Sequence, residues 1–405
     1  MLALGTLAQT VTCTLLFGIP FLLPYLRRTT QLSLAQAGAL AAAPSFGLVA
    51  TLVLWGVLAD RRGERAVLTA GVALTGAAAL LAAAAPDTVL LAVALVVTGA
   101  FGSSPNAASG RLVMAWFPTS QRGLAMGVRQ MGQPLGVATA ALVLPPLAEA
   151  GGLRLALGVP AGLCLLTAAA LGVLVRGPEA GAGRSGSSAG SPKPAHSPYR
   201  TPALWRIHAA SGLLVVPQFA TALFAAEYLV SERGWDATSA GRVLALVSVA
   251  GAFGRLAVGR WSDVVGSRIR PMRQIAVGSA LTIALVGLCA ATGSVLVLPA
   301  IAAASIVAVA DNGLGFTATA ELAGLGWSGR ALGIQNTMQN LAAFATGPLV
   351  GALAGASGFG VAFAACAIFP LIGAVAAPVS AEARVRLTQV GPSASSDDRP
   401  LTVDR

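Results

Sequence analysis

Gly56-Val57-Leu58-Ala59-Asp60-Arg61-Arg62-Gly63-Glu64-Arg65 is a short charged stretch between two long apolar runs. A second stretch, Gly259-Arg260-Trp261-Ser262-Asp263-Val264-Val265-Gly266-Ser267-Arg268, repeats its Gly, Asp, Gly and Arg at the same spacing, again between apolar runs. The chain therefore reads as two homologous halves, each with the same charged hairpin at the end of a hydrophobic segment. Few soluble proteins need that arrangement.

Composition points the same way. Of 405 residues, 56% are hydrophobic and 10% charged, and the mean hydropathy is +0.77. Roughly a quarter of a soluble domain is charged, so this chain cannot cover itself with polar surface and most of its exterior should face lipid. The 48 glycines suit close helix packing in a bilayer. The net charge of +11 comes from arginines in short gaps between apolar runs. Topogenic positive charge explains that pattern, and no nucleic acid is expected. Cys13, Cys164, Cys289 and Cys366 each lie inside an apolar run, without metal-ligand spacing. They read as small buried hydrophobes, and no metal or cofactor is expected. No basic segment precedes the first apolar run; either that run is the first membrane helix or the start lies upstream.

A spanning helix takes about 20 apolar residues. About twelve such runs occur, near 2–24, 33–58, 66–85, 88–112, 122–147, 153–175, 204–230, 239–260, 273–292, 295–320, 330–353 and 358–379. The expected fold is an all-α integral membrane protein of about 12 transmembrane helices in two pseudo-symmetric six-helix bundles. The expected domains are 1–175 and 204–380, joined by a cytoplasmic linker at 176–203 and followed by a disordered tail at 381–405. The linker is Gly/Ser/Pro-rich and holds Lys193, the only lysine. Most basic loop residues, including Arg61, Arg62, Arg65, Arg122, Arg260, Arg268 and Arg330, fall on one side of this layout. That side should be cytoplasmic, with both termini, in the cell membrane. Arg27 and Arg28 run against the rule but are outnumbered.

The repeat reaches further. Gln9 matches Gln218, Asn106 matches Asn312, and Met126-Gly127 matches Leu332-Gly333, at offsets within a few residues of 206. Parallel six-helix halves are one layout of secondary transporters.

Here the residues resemble the major facilitator superfamily over nearly the whole chain. Gly56, Leu58, Ala59, Asp60, Arg61, Gly63 and Arg65 resemble its signature G-x-L-A-D-R-x-G-x-R, placed after the second run and echoed after the eighth. Trp116-Phe117-Pro118 and Arg122-Gly123 look like its usual turn after the fourth. There are departures: Ala66 follows Arg65, and the second copy has Val264 after its Asp. In the fourth run, the stretch Val93 to Gly99 lacks the arginine that drug–proton antiporters often carry just before a glycine, and Gly132-Gln133-Pro134-Leu135-Gly136 only partly resembles their fifth-helix motif.

The hairpins read as a conformational latch formed by Gly56, Asp60, Arg61, Gly63 and Arg65, with Gly259, Asp263, Gly266 and Arg268. The glycines let helices touch, and the Asp60 carboxylate can meet the N-terminus of a neighbouring helix. The resemblance implies that the neighbour is the eleventh helix. Arg61 and Arg65 would pair with Asp60 or with lipid phosphates. The retained Asp60-Arg61 pair makes the first hairpin the expected stronger half of the latch. Arg111 is expected to snorkel, and Glu321 to anchor a loop.

Ionisable groups inside spans are expensive and default to functional roles. Arg129 and Arg255 suit a small organic anion, which arginine holds with paired hydrogen bonds. The bland readings are a helix-end carbonyl for Arg129, and snorkelling or Asp263 for Arg255. Asp311 either carries a coupling proton or neutralises one of the arginines. Gln9, Asn106, Gln218 and Asn312 are the neutral cavity candidates, whereas Gln335 to Gln339 read as interhelical hydrogen bonds. His208 reads as a satisfied interfacial histidine. The expected function is gradient-driven, alternating-access carriage of a small organic anion, coupled to protons through Asp311, by a monomer in the bilayer. Efflux of hydrophobic compounds and a non-transporting sensor on the same fold are the alternatives. No nucleotide loop, metal cluster or nucleophile–base set indicates an enzyme.

Overall fold

The computed structural model describes residues 2–30, 34–174, 197–235 and 237–379, and every regular element among them is helical. The expected linker, apart from 197–203, and the expected tail lie outside the described residues. Nine helices among the described residues are long and apolar enough to cross a membrane. Two of them, Thr119–Leu174 and Ser328–Ala376, run to 56 and 49 residues. A hydrocarbon core about 30 Å thick takes only about 20 helical residues, so each crosses twice. Their breaks fall at glycines with left-handed backbone, Gly152 at φ 67° and Gly358 at φ 81°. With these separated, and Leu2–Leu16 and Ile19–Thr30 taken together as the first, there are twelve traverses among the described residues. We number them α1 (2–30), α2 (Leu34–Arg62), α3 (Glu64–Ala83), α4 (Thr88–Trp116), α5 (122–150) and α6 (153–174). The second half holds α7 (Pro202–Ser231), α8 (Ala237–Val265), α9 (Ile269–Ala291), α10 (Val297–Ala323), α11 (328–357) and α12 (359–376).

Packing repeats between the halves. α1 lies against α5, α2 against α4 and α3 against α6; α7 lies against α11, α8 against α10 and α9 against α12. Each half has its own large apolar core, one built around Leu15, Leu22, Leu68 and Leu144, the other around Tyr228, Ile283, Ile301 and Phe363. Two seams join the halves, α2 on α11 and α5 on α8. Between these seams a smaller cluster, including Val113, Met126, Phe316, Ala320 and Leu332, draws on both halves. The outer surface carries large apolar side chains such as Phe46, Leu142 and Phe344, each more than 70% exposed. Water would make that surface an aggregation hazard, whereas lipid tails accept it.

Among the helices interrupted mid-span, α4 breaks at Ser103, α5 at Met131 and α10 at Asp311. Pro105 explains the first break, because it has no N–H for the Phe101 carbonyl. The neighbouring Ala100 carbonyl accepts from Thr51 Oγ1 and Trp55 Nε1, each at 2.7 Å.

Close contact between helices rests on missing side chains. A Cβ on Gly99 would land on the Pro44 carbonyl, whereas one on Gly162 would meet nothing within 4 Å. Gly99→Ala should therefore lower the melting temperature of purified protein through overpacking that costs about 1–3 kcal/mol. Gly162→Ala should leave it unchanged or raise it, since alanine favours helix by about 1 kcal/mol.

Candidate functional site

The second glycine of each hairpin makes a turn: Gly63 lies at φ 80° and Gly266 at φ 63°. The first glycine makes a helix contact. A Cβ on Gly56 would strike the Gly329 carbonyl, and one on Gly259 would lie 2.5 Å from the Gly123 carbonyl. The backbones of α2 and α11, and of α8 and α5, thus touch directly. That approach brings each aspartate to the start of the opposing helix. Asp60 accepts hydrogen bonds from the backbone N–H of Gly329 at 2.8 Å and of Arg330 at 3.0 Å. Asp263 accepts from Gly123 and Leu124, both at 2.9 Å. Each carboxylate satisfies amides that a helix N-terminus leaves without intrahelical partners.

The cations differ from the sequence expectation. Asp60 pairs with Arg111 at 2.6 Å and with Arg330 at 3.4 Å, not with Arg61 or Arg65. Arg61 is exposed, and Arg65 donates to the Gly172 carbonyl near the end of α6. Arg111 does not snorkel: it bridges Asp60 and Glu64, the latter at 2.9 Å. Asp263 pairs with Arg268 at 2.5 Å, and Arg268 also donates to Ser262 Oγ and the Thr119 carbonyl. Sequence spacing misled here because the partners come from other turns and helices. Val264 does not leave Asp263 without a cation, so the geometry gives no support to a weaker second hairpin. Glu321 lies 3.8 Å from Arg122 and 3.5 Å from Arg268.

A cavity of about 470 Å³, counting its open mouth, lies between the halves. Gln9, Asn106, Gln218 and Asn312 all line it. They form two equivalent pairs: Gln9 Nε2 donates to Asn106 Oδ1 at 3.1 Å, and Asn312 Nδ2 donates to Gln218 Oε1 at 3.2 Å. Five more carboxamides line the same space, Gln130, Gln133, Asn336, Gln339 and Asn340, with the rings of Phe219 and Phe316. Gln133 and Asn340 were not singled out in the sequence. Their helical register would have found them, since Gln130/Gln133 and Asn336/Gln339/Asn340 are three and four residues apart. Among the described residues, no charged side chain lines it. Gln9 Oε1 and Gln339 Nε2 are buried without a hydrogen-bond partner among the described residues.

Arg129, Arg255 and Asp311, the ionisable residues expected inside spans, lie around this cavity and are not among its lining residues. Arg129, 1% exposed, donates to Ser109 Oγ at 2.6 Å, Gln130 Oε1 at 2.6 Å and the Asn106 carbonyl at 2.8 Å. Its guanidinium stacks 5.6 Å from the Phe316 ring. Arg255 donates through Nη1 to the Gln130 carbonyl at 2.9 Å, not to Asp263, and its Nε has no partner among the described residues. Asp311, 1% exposed, interacts electrostatically with Arg255, and its Oδ2 has no hydrogen-bond partner among the described residues. His208 is fully buried, bonded to Gln335 Oε1 and, at 2.9 Å, to the Tyr199 hydroxyl. Tyr199 lies ahead of α7, and burial together with the Asp60 carboxylate raises its pKa.

A model of the Major Facilitator Superfamily matches residues 5–346. The chain is 46% identical over 363 residues to an uncharacterized MFS-type transporter of Mycobacterium tuberculosis (strain ATCC 25618 / H37Rv), covering 89% of this chain and 80% of that one. The crystal structure of the E. coli fucose:proton symporter superposes with a TM-score of 0.71 at 18% identity, covering 93% of this chain and 97% of that chain. The human organic anion transporter structure does so with a TM-score of 0.65 at 14% identity, covering 93% and 97%.

The two aspartates differ in what they would leave behind. Arg268 is 3% exposed, whereas Arg111 and Arg330 are 12% and 25% exposed and Arg111 keeps Glu64. Arg268 keeps Glu321 at 3.5 Å, but breaking its more deeply buried pair with Asp263 should still make Asp263→Ala the costlier change, at up to about 3–5 kcal/mol for the purified protein. Asp60→Ala should cost less, as read from the order of the two melting temperatures.

Proposed function

The chain belongs to the Major Facilitator Superfamily, and from that premise we propose that it carries a small, uncharged, hydrogen-bonding solute by alternating access. The lining of the cavity carries this reading. Nine carboxamides offer donors and acceptors side by side, which matches hydroxyl and amide groups. A free carboxylate would meet no cation in that wall. The orphaned Gln9 Oε1 and Gln339 Nε2 supply an acceptor and a donor for such a solute. Asp311 is the group proposed to bind the coupled proton, since it is buried, carboxylic and not held by a hydrogen-bonded cation.

The hairpin face is proposed as cytoplasmic, in the cell membrane, with both termini on that side and a linker at 176–203 between domains 1–175 and 204–380 of a monomer. Both seams are closed on that face, so the conformation is open or occluded toward the outside. On this reading Asp60 and Asp263 latch the closed state and release the two helix N-termini when it opens.

A second reading keeps the small organic anion suggested by Arg129 and Arg255. The partnerless Arg255 Nε favours it, and the likeness to an organic anion transporter is one of fold. Efflux of hydrophobic compounds fits the amide lining poorly, and a non-transporting sensor has no signalling domain among the described residues.

Proteoliposome uptake across neutral polyols, amides and carboxylates separates these readings. Neutral solutes should be taken up, and Gln218→Ala and Asn312→Ala should each raise KM about fivefold, one hydrogen bond's worth. Transport confined to carboxylates and lost in Arg255→Ala would select the anion. Asp311→Asn should abolish substrate-driven proton movement while leaving substrate exchange.

A further inference from the structure

Between the cavity and the hairpins, the α5–α8 seam holds one more contact between the halves. In a regular helix the Gln130 carbonyl would accept from the residue four positions on, which is Pro134. Proline has no N–H, so that acceptor is left without its helical donor. The helix breaks there: Arg122–Gln130 ends, and the segment from Gly132 begins after the single residue Met131, with Leu135 N–H donating to the Met131 carbonyl at 3.0 Å. The missing donor comes from the other half, as Arg255 Nη1 reaches the Gln130 carbonyl at 2.9 Å. Arg255 can stand this close because a Cβ on Gly127 would already lie 3.0 Å from the Arg255 carbonyl.

The other seam supplies an internal control. At the motif spacing, the α2 residue equivalent to Arg255 is Leu52, and the α11 residue equivalent to Gly127 is Gly333. There a fully buried Leu52 packs its backbone on Gly333, with no charge at the contact. The two seams share their glycines and their capping aspartates, and they differ at this position.

We propose that Pro134 is a positioning residue that leaves the Gln130 carbonyl free for Arg255, so that this bond forms a third clamp between the halves and must break when the hairpin face opens. Arg255 then serves the conformational cycle from the α8 side, and Pro134 serves it by withholding a donor. The partial fifth-helix motif, Gly132-Gln133-Pro134-Leu135-Gly136, thereby has a specific use in this chain. The inference rests on alternating access but on neither the substrate nor the proton.

The test uses a thiol reporter. Ala320, fully buried in the cluster shared by both halves, becomes accessible only if the hairpin face opens. In purified Ala320→Cys protein, the labelling rate with a hydrophilic maleimide reads that opening. Pro134→Ala gives the Gln130 carbonyl its own helical donor and should raise the rate severalfold. Arg255→Leu, which copies Leu52, should raise it up to about tenfold, the scale of one charge-assisted hydrogen bond. The double variant should label no faster than Arg255→Leu alone, because both changes remove one bond. A parental rate in Pro134→Ala, or multiplying effects in the double variant, overturns the proposal. Arg255→Gln replaces Arg255→Leu if the latter does not elute as a single species. Asp60→Asn is the reference: if it fails to raise the rate, alternating access at this face is what fails. If it raises the rate and Pro134→Ala does not, the clamp alone is refuted.

Discussion

Direct contact of bare backbone across the two seams is the constraint on which the rest depends. An aspartate can cap a helix from another bundle only if the two helices come within hydrogen-bonding range, and a single methyl group at Gly56, Gly259, Gly123 or Gly329 would hold them apart. The carboxylate then gains two amides whose orientation the helix has already fixed, so little entropy remains to be lost. Glycine sets the distance, the helix terminus sets the polarity, and the aspartate converts both into a contact that either exists fully or not at all. Such all-or-none contacts suit a molecule with two discrete states better than a graded hydrophobic interface would.

The fold was legible because a bilayer is a strict solvent. Every spanning segment must be apolar over about 20 residues and helical, so the runs and the hairpin repeat specify the layout almost without tertiary information. Boundaries that sequence placed near 147 and 353 were missed by a few residues, since the breaks belong to Gly152 and Gly358. The cavity amides were legible for a related reason: Gln9 and Gln218, like Asn106 and Asn312, stand out as repeated polar residues in apolar surroundings.

Ion pairing was not legible. Arg61 neighbours Asp60 in sequence but points elsewhere, while Arg111, fifty-one positions away, takes its place. Helical geometry turns adjacent residues by about 100°, so sequence neighbours seldom share a face. The role of Arg255 was hidden for another reason. Its partner is a main-chain carbonyl, identical in every residue, and only the proline four places later marks that carbonyl as different. Buried charge in a membrane protein can thus be spent on the backbone of a partner helix as readily as on a ligand, and an arginine count alone overstates the case for an anionic cargo.

The four cysteines have a consequence of their own. All are buried, none more than 5% exposed, and none is bonded to another. Sulfur chemistry at this protein is therefore quiet in this conformation: hydrophilic electrophiles and oxidants meet no exposed thiol. If the middle opens to the aqueous phase as proposed, these strongly nucleophilic side chains start from inside the helix bundles.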